Sequence, residues 1–367
     1  MKIVFVISSM GSGGAERVIS NMANYWAGNS WSVTLITLEE KNKYFYNLDK
    51  RISKVALCLV GQSTSTPDAV INNIRRILAL RSAIKFSRPD AVISFMDRTN
   101  VLTIMATLFT GTPVIISERT NPNYHDIGKG WKALRRWLYK KADALVVQTQ
   151  DVLQWAINTV GKEKAFVIPN CISLYLNNNP NNKGKQFRHP FILAMGRLTP
   201  EKGFDLLVSA FAKICLNHPE WLLVILGEGN ERLLLEAKVK ELGIEDRVYL
   251  LGTHPNPVEI MTQAKIFVLS SRYEGFPNAL LEAMASGLPV ISFDCPSGPR
   301  EIIRHEIDGI LVPPEDVFAL AAAMNDLIIN PEKRERLASR AIDIVDRFAE
   351  DCVMSKWENL VLKVAKN

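Results

Sequence analysis

Two trains of near-continuous apolar runs, each run followed by a longer amphipathic stretch, constrain this chain more than any other feature. In the first train the runs fall at 2–8, 32–38, 91–94, 113–116, 144–148 and 165–168, with helix-like stretches at 14–27, 70–85, 100–109 and 129–140. A strand that is apolar at every position is buried on both faces, which is the mark of a parallel sheet covered by helices on either side. Residues 1–170 are therefore predicted to form one doubly wound α/β unit. The segment 177–185 is polar, Asn-rich and without periodicity, and reads as a linker. The pattern then restarts, with strands at 191–195, 221–226, 248–251, 266–269, 289–292 and 309–311 and helices at 203–216, 230–242, 278–286 and 317–327. This predicts a second α/β unit over 186–349, followed by an amphipathic helical stretch at 334–366. Open α/β sheets bind ligands at the carboxyl ends of their strands, so a cleft between two such edges is expected.

Composition narrows the choice. The 367 residues suffice for two full cores, and 47% hydrophobic with 22% charged residues excludes a disordered chain. Five scattered cysteines without a CxxC pair suggest neither a zinc site nor a disulfide framework, and a reducing cytosol fits best. The apolar start, 1–9, is too short for a signal peptide. The longest uncharged stretch, 99–117, is broken by Gly111-Thr112-Pro113 and reads as a buried helix ending at Gly111 plus a strand, so no membrane span is expected. Charge is split: residues 1–185 carry 24 Lys and Arg against 12 Asp and Glu, and residues 186–367 carry 20 against 26. The first half is expected to meet something anionic.

Three loops carry candidate chemistry. Met10-Gly11-Ser12-Gly13-Gly14-Ala15-Glu16-Arg17 follows the first strand, where glycines let the backbone approach a ligand and a helix start offers N–H groups to an anion. It resembles a dinucleotide fingerprint, but Glu16 stands where the third glycine belongs; Glu39 after the second strand keeps a nicotinamide-dependent oxidoreductase open as an alternative. Gly196-Arg197-Leu198-Thr199-Pro200-Glu201-Lys202-Gly203 follows the first strand of the second unit, and its two cations suit a diphosphate leaving group without a metal. Glu274-Gly275-Phe276-Pro277-Asn278 leads into a helix that carries Glu282 among small and apolar neighbours. A loop carboxylate, an anion-binding helix start and a second carboxylate suit a sugar, a diphosphate and a ribose in turn.

These three motifs, in this order, resemble the retaining GT-B glycosyltransferases of group 4, over nearly the whole chain. The Glu-x7-Glu segment with its trailing Ser286-Gly287-Leu288-Pro289-Val290 is the most specific part; Gly227-Glu228-Gly229, Gly298-Pro299-Arg300-Glu301 and Asp308-Gly309-Ile310 add to it. The likeness is greatest to enzymes that add hexose or N-acetylhexosamine units (GalNAc, GlcNAc, Gal or Glc) to polyprenyl-diphosphate-linked saccharides in O-antigen, capsule or N-glycan assembly. It implies two Rossmann-like domains facing across a cleft, with the last helix, about 350–367, packing back on the first. It implies a UDP-sugar donor and no metal or other cofactor. Arg197 and Lys202 would bind the donor diphosphate, with Gly13, Gly14 and Gly196 approaching it. Glu274 would hold sugar hydroxyls, Gly275, Phe276, Pro277 and Asn278 would lie along sugar and phosphates, and Glu282 would bind the ribose. The loops at Gly227–Gly229 and at Thr253 and His254 would hold the uracil. Many relatives carry a His near the reacting carbon where this chain has Arg119; Arg cannot act as a base at neutral pH, so it is expected to bind a phosphate or orient the sugar. A non-catalytic sugar-nucleotide-binding protein remains a further alternative, which the joint presence of Arg197, Lys202, Glu274 and Glu282 disfavours.

The acceptor side is read from two basic stretches. Arg75, Arg76, Arg81 and Lys85 interleave with Ile71, Ile74 and Leu78, and Lys132, Arg135 and Arg136 interleave with Trp131, Leu134 and Trp137. Such helices suit an anionic membrane surface or a lipid diphosphate, or an ordinary solvated face covering a sheet, and the expected location is the cytoplasm, peripheral on the inner face of the membrane. No aromatic stacking platform supports nucleic acid.

Overall fold

The computed structural model describes residues 1–39, 44–59, 61, 65–172, 187–254 and 256–366. The Asn-rich segment 177–185 lies outside the described residues. Backbone packing divides the chain into two compact units, Met1–Cys171 with Glu350–Asn367, and Ile172–Ala349.

The first unit runs β1 (Lys2–Ile7), α1 (Gly14–Gly28), β2 (Ser32–Thr37), β3 (Ser53–Ala56), α2 (Thr66–Ser87), β4 (Ala91–Phe95), α3 (Asp97–Thr107), β5 (Val114–Ser117), α4 (Lys129–Leu138), β6 (Ala144–Val147), α5 (Gln150–Val160) and β7 (Ala165–Val167). Among the described residues its strands form one sheet in the order β3-β2-β1-β4-β5-β6-β7, all neighbours parallel. The central strands are buried along their length because helices cover both faces. One face packs Phe5 against Trp26 and Phe95 against Trp357. The other gathers Val6, Ile36, Leu80, Ile104 and Leu145.

The second unit runs β8 (Phe191–Met195), α6 (Phe204–Ala212), β9 (Leu222–Leu226), α7 (Arg232–Glu241), β10 (Val248–Gly252), α8 (Pro257–Met261), β11 (Ile266–Leu269), α9 (Asn278–Ala285), β12 (Val290–Phe293), α10 (Pro299–Ile302), β13 (Ile310–Val312), α11 (Val317–Ile329), α12 (Pro331–Ala341) and α13 (Ile344–Arg347). Its parallel sheet, among the described residues, has the order β10-β9-β8-β11-β12-β13. The chain then returns to the first unit as α14 (Glu350–Ala365).

In each unit the strand order reverses beside the first strand, between β1 and β4 and between β8 and β11. The loops leaving those strands diverge to opposite faces and leave a crevice at the carboxyl edge, which is where such sheets bind ligands.

The structure revises the sequence expectation at four places. The edge strand β3 leaves no apolar run to read, because Ser53 and Lys54 are exposed and only Val55 and Ala56 are half-buried. Helix α5 was missed because only Val152 and Ala156 of it are buried. The stretch 334–366 is not one helix but α12, α13 and α14, divided between the two units. The uncharged run 99–117 folds as the buried α3, which ends at Thr107 rather than Gly111, and β5. No helix among the described residues is long and apolar enough to cross a membrane.

Candidate functional site

At the crevice of the second unit, the loop after β8 carries Lys202 and the loop after β11 carries Glu274. Lys202 Nζ lies 2.7 Å from Glu274 Oε1, with side chains 20% and 7% exposed. Ser271 Oγ donates to the same carboxylate oxygen at 2.6 Å, and the Ser297 hydroxyl donates to the Glu274 carbonyl. A buried acid is tolerated only when paired and hydrogen-bonded, and Glu274 is both. The two loops are also joined through their backbones: Ser270 Oγ donates to the Lys202 carbonyl at 2.9 Å, and Arg272 N to the Glu201 carbonyl at 2.8 Å.

The neighbouring loops complete a continuous bed at this edge. Leu198 N donates to the Glu228 carbonyl at 2.9 Å, and Gly227 N to the Gly252 carbonyl at 2.8 Å. Gly227 has φ +143°, and a Cβ there would lie 1.8 Å from the Gly196 carbonyl oxygen, so only glycine allows this approach. Gly203, at φ +61°, is equally restricted, with its Cβ position 2.1 Å from the Ser270 carbonyl oxygen. The predicted residues Gly196, Gly227 and Gly229 thus belong to one bed. Thr253 and His254 follow directly from its Gly252, with His254 Nδ1 2.9 Å from the Asn256 carbonyl oxygen.

The other predicted residues here fall in different places. Arg197 is exposed and pairs with Glu201 at 3.8 Å rather than joining Lys202. Glu282 is buried on α9, so a solvated surface acid is excluded. Pro277 caps α9 and Asn278 opens it. The Phe276 side chain is a core residue, packed on Phe348 with ring centroids 5.6 Å apart, and leaves only its backbone beside Gly275 for a ligand.

The first unit builds its crevice differently. Gly13 caps α1 and Gly14 opens it, in the loop after β1. The Glu16 side chain accepts from Ser9 Oγ at 3.1 Å and fills the space where a Gly13 Cβ would stand. After β4, Met96 adopts a left-handed φ of +77° to turn into α3, a strain of the kind that gathers at binding edges.

After β5, Arg119 is buried with its guanidinium 3.7 Å over the Phe95 ring and 5.8 Å from that of Trp357. Its Nη1 donates to Asn170 Oδ1 at 2.8 Å, while Nε and Nη2 have no hydrogen-bond partner among the described residues. Burial without a facing carboxylate pulls its pKa down to about 9. Beside it, Glu118 accepts from the Tyr139 hydroxyl at 2.6 Å and faces Arg135 at 3.9 Å. Burial, reinforced by the nearby Asp97, pushes Glu118 up to about 7. Asp97 itself stays below the ordinary carboxylate range: burial opposes ionisation, but His125 and the Arg98 N–H outweigh it.

The basic stretches are only partly surface. Arg135 is buried against Glu118 and the Trp155 ring, which corrects its assignment to a membrane or acceptor face. Arg76 and Arg81 donate to the carbonyls of Leu59 and Leu108, so they also serve the local fold. Arg75, Lys85, Lys132 and Arg136 are exposed, and Trp131 is half-buried against Arg98. Val70, Ile71, Ile74 and Leu78 are exposed along α2, although Leu80 and Ile84 of the same helix are in the core.

Comparison with known proteins decides the family. Residues 12–176 match the family described as Glycosyltransferase Family 4, and residues 177–343 match Glycosyl transferases group 1. The chain is 31% identical, over 99% of both chains, to the Campylobacter jejuni GalNAc-alpha-(1->4)-GalNAc-alpha-(1->3)-diNAcBac-PP-undecaprenol alpha-1,4-N-acetyl-D-galactosaminyltransferase. The chain belongs to this glycosyltransferase family. An exopolysaccharide phosphotransferase of Streptomyces coelicolor is 30% identical over 98% of this chain, but the chain spans only 40% of that longer protein. Among solved structures, sucrose-phosphate synthase from Thermosynechococcus elongatus superposes with a TM-score of 0.84 at 19% identity, covering 99% of this chain and 98% of that one. Anabaena HepE in complex with UDP-glucose gives 0.78 at 17% identity, covering 99% and 100%. The glycosyltransferase therefore has the GT-B type of fold, two Rossmann-like α/β domains, and the oxidoreductase and non-catalytic alternatives are set aside.

Proposed function

We propose that this glycosyltransferase moves a hexose or N-acetylhexosamine from a UDP-sugar to a polyprenyl-diphosphate-linked saccharide, with retention. The observation that carries the donor half is the pairing of the half-buried Lys202 with the buried Glu274 at the crevice between β8 and β11. A cation and an acid side by side suit a ligand that presents phosphates next to hydroxyls. Lys202, helped by Arg197, neutralises the diphosphate as it leaves, and Glu274 holds sugar hydroxyls. Glu282 takes the ribose, and the bed of Gly227, Gly229, Thr253 and His254 takes the base. The acceptor hydroxyl attacks from the face the diphosphate leaves, and a departing phosphate oxygen accepts its proton. No protein nucleophile or metal enters this scheme. Arg119, at the carboxyl edge of the first unit, offers a buried cation to a phosphate or a sugar. The UDP-glucose bound by HepE and the undecaprenyl diphosphate in the Campylobacter enzyme's name support the two substrate classes.

The exposed Val70, Ile71, Ile74 and Leu78 beside Arg75 and Lys85 on α2 support docking on an anionic membrane at the cytoplasmic face. Transfer from UDP-sugars to a synthetic lipid-linked acceptor tests the donor assignment. Lys202→Ala and Glu274→Ala should each abolish turnover while circular dichroism shows a folded chain, and near-normal turnover refutes it. Flotation with vesicles containing anionic lipid tests the membrane assignment, with Ile74→Asp expected to release the protein.

A further inference from the structure

The turn that presents Lys202 is short and exposed at its Arg197 side, and a lysine ammonium on a four-carbon stem goes where its backbone is anchored. That anchor is Arg272, from the loop on the opposite side of the crevice. Its Nη1 and Nη2 donate to Asp205 Oδ1 and Oδ2 at 2.9 and 2.7 Å. Nη1 also donates to the Pro200 carbonyl at 2.6 Å, Nε donates to Glu315 Oε2 at 3.0 Å, and its backbone N–H holds the Glu201 carbonyl. Asp205 and Pro200 flank Lys202 on either side, and Arg272 lies two residues before Glu274. One planar fork thus fastens both ends of the Lys202 turn to the loop that carries its partner acid. Only a guanidinium presents donors in enough directions for this; an ammonium does not.

We propose that Arg272, with Asp205, is a positioning residue that sets Lys202 opposite Glu274 for capture of the donor diphosphate. The inference rests on the donor assignment made above. Arg272 and Asp205 are half-buried, with side chains 28% and 38% exposed, so solvent still screens the pair and its loss should displace the turn without unfolding the unit. A displacement of about 1 Å at a catalytic group lowers rates by about 100-fold.

The test is calorimetric titration with UDP, with turnover and thermal melting measured alongside. Arg272→Gln should weaken UDP by about tenfold, the worth of one well-aligned hydrogen bond, and lower kcat by more. The KM for the acceptor and the melting temperature should stay near those of the wild type. Asp205→Asn should do the same to a smaller degree, and Arg272→Lys should not restore binding. In a Lys202→Ala background, Arg272→Gln should have no further effect on UDP. An equal loss in both backgrounds, or a fall in melting temperature with UDP binding intact, overturns the inference and leaves Arg272 a structural residue. If Lys202→Ala weakens UDP but Arg272→Gln does not, the positioning role alone fails. If Lys202→Ala binds UDP normally, the donor assignment fails and this inference falls with it.

Discussion

The two units share a sheet topology and place a cation at the carboxyl edge of each sheet, yet they treat its charge in opposite ways. In the second unit Lys202 is paired with Glu274, and Ser271 completes the carboxylate's bonding. In the first, Arg119 is enclosed by Phe95 and Trp357, and a single amide oxygen answers one of its nitrogens. A compensated pair costs the fold little and must be parted before an anion can take the lysine. An uncompensated buried cation costs the fold several kcal/mol until an anion arrives. One architecture thus gives one carboxyl edge that is balanced at rest, after the first strand β8, and another that stores an electrostatic debt, after the later strand β5.

Substitutions can break or sharpen this contrast. The largest effect is expected at Lys202: its replacement by Ala should lower turnover by about 100-fold or more. It should also lower the melting temperature, because Glu274 is left buried without its counter-charge. Next comes Trp357, which lies in α14 and closes the Arg119 cage; Trp357→Ala should cost about 3–5 kcal/mol. Differential scanning calorimetry should then show the first unit melting ahead of the second. Arg119→Met should reduce turnover yet raise the melting temperature by about 3 °C, the reverse of Lys202→Ala. If both variants melt early, the charge contrast is wrong.

The smallest effect concerns Glu118, whose proton is held to about pH 7 in the folded protein against 4.5 for an ordinary glutamate. Between those values the unfolded chain has released a proton that the folded chain retains, so stability falls as pH rises through this window. Glu118→Gln should flatten that decline, shifting the melting temperature by about 3 °C at pH 8 and hardly at all at pH 4.

The parallel sheets were legible in the sequence because doubly buried strands leave unbroken apolar runs, as in Phe191–Met195 and Ile266–Leu269, which fold over the predicted residues. Lys202 and Glu274 were legible because each lies in a glycine-marked loop directly after such a strand. Arg135 was misplaced, although its spacing from Trp131 and Leu138 puts it on the inward side of α4; its partner Glu118 is 17 residues away and no local pattern points to it. Arg272 escaped notice for the same reason, since the Asp205 it grips is 67 residues distant. Sequence periodicity reports burial, whereas pairing between loops is settled only when the strands that carry them are in register.

The first unit is interrupted in the sequence: α14 reaches it only after the whole of the second unit has been made. Trp26 Nε1 donates to Glu358 at 3.2 Å, and Met354, Trp357 and Val361 lie in the same core as Phe5 and Trp26. During synthesis, α1 already covers Phe5, but the part of the same face over β4 and β5 that α14 covers waits bare while nearly two hundred further residues emerge, an interval set by translation speed at roughly 5–20 residues per second. Maturation of the amino-terminal half is timed by the other end of the polypeptide, and a chaperone would find its target there.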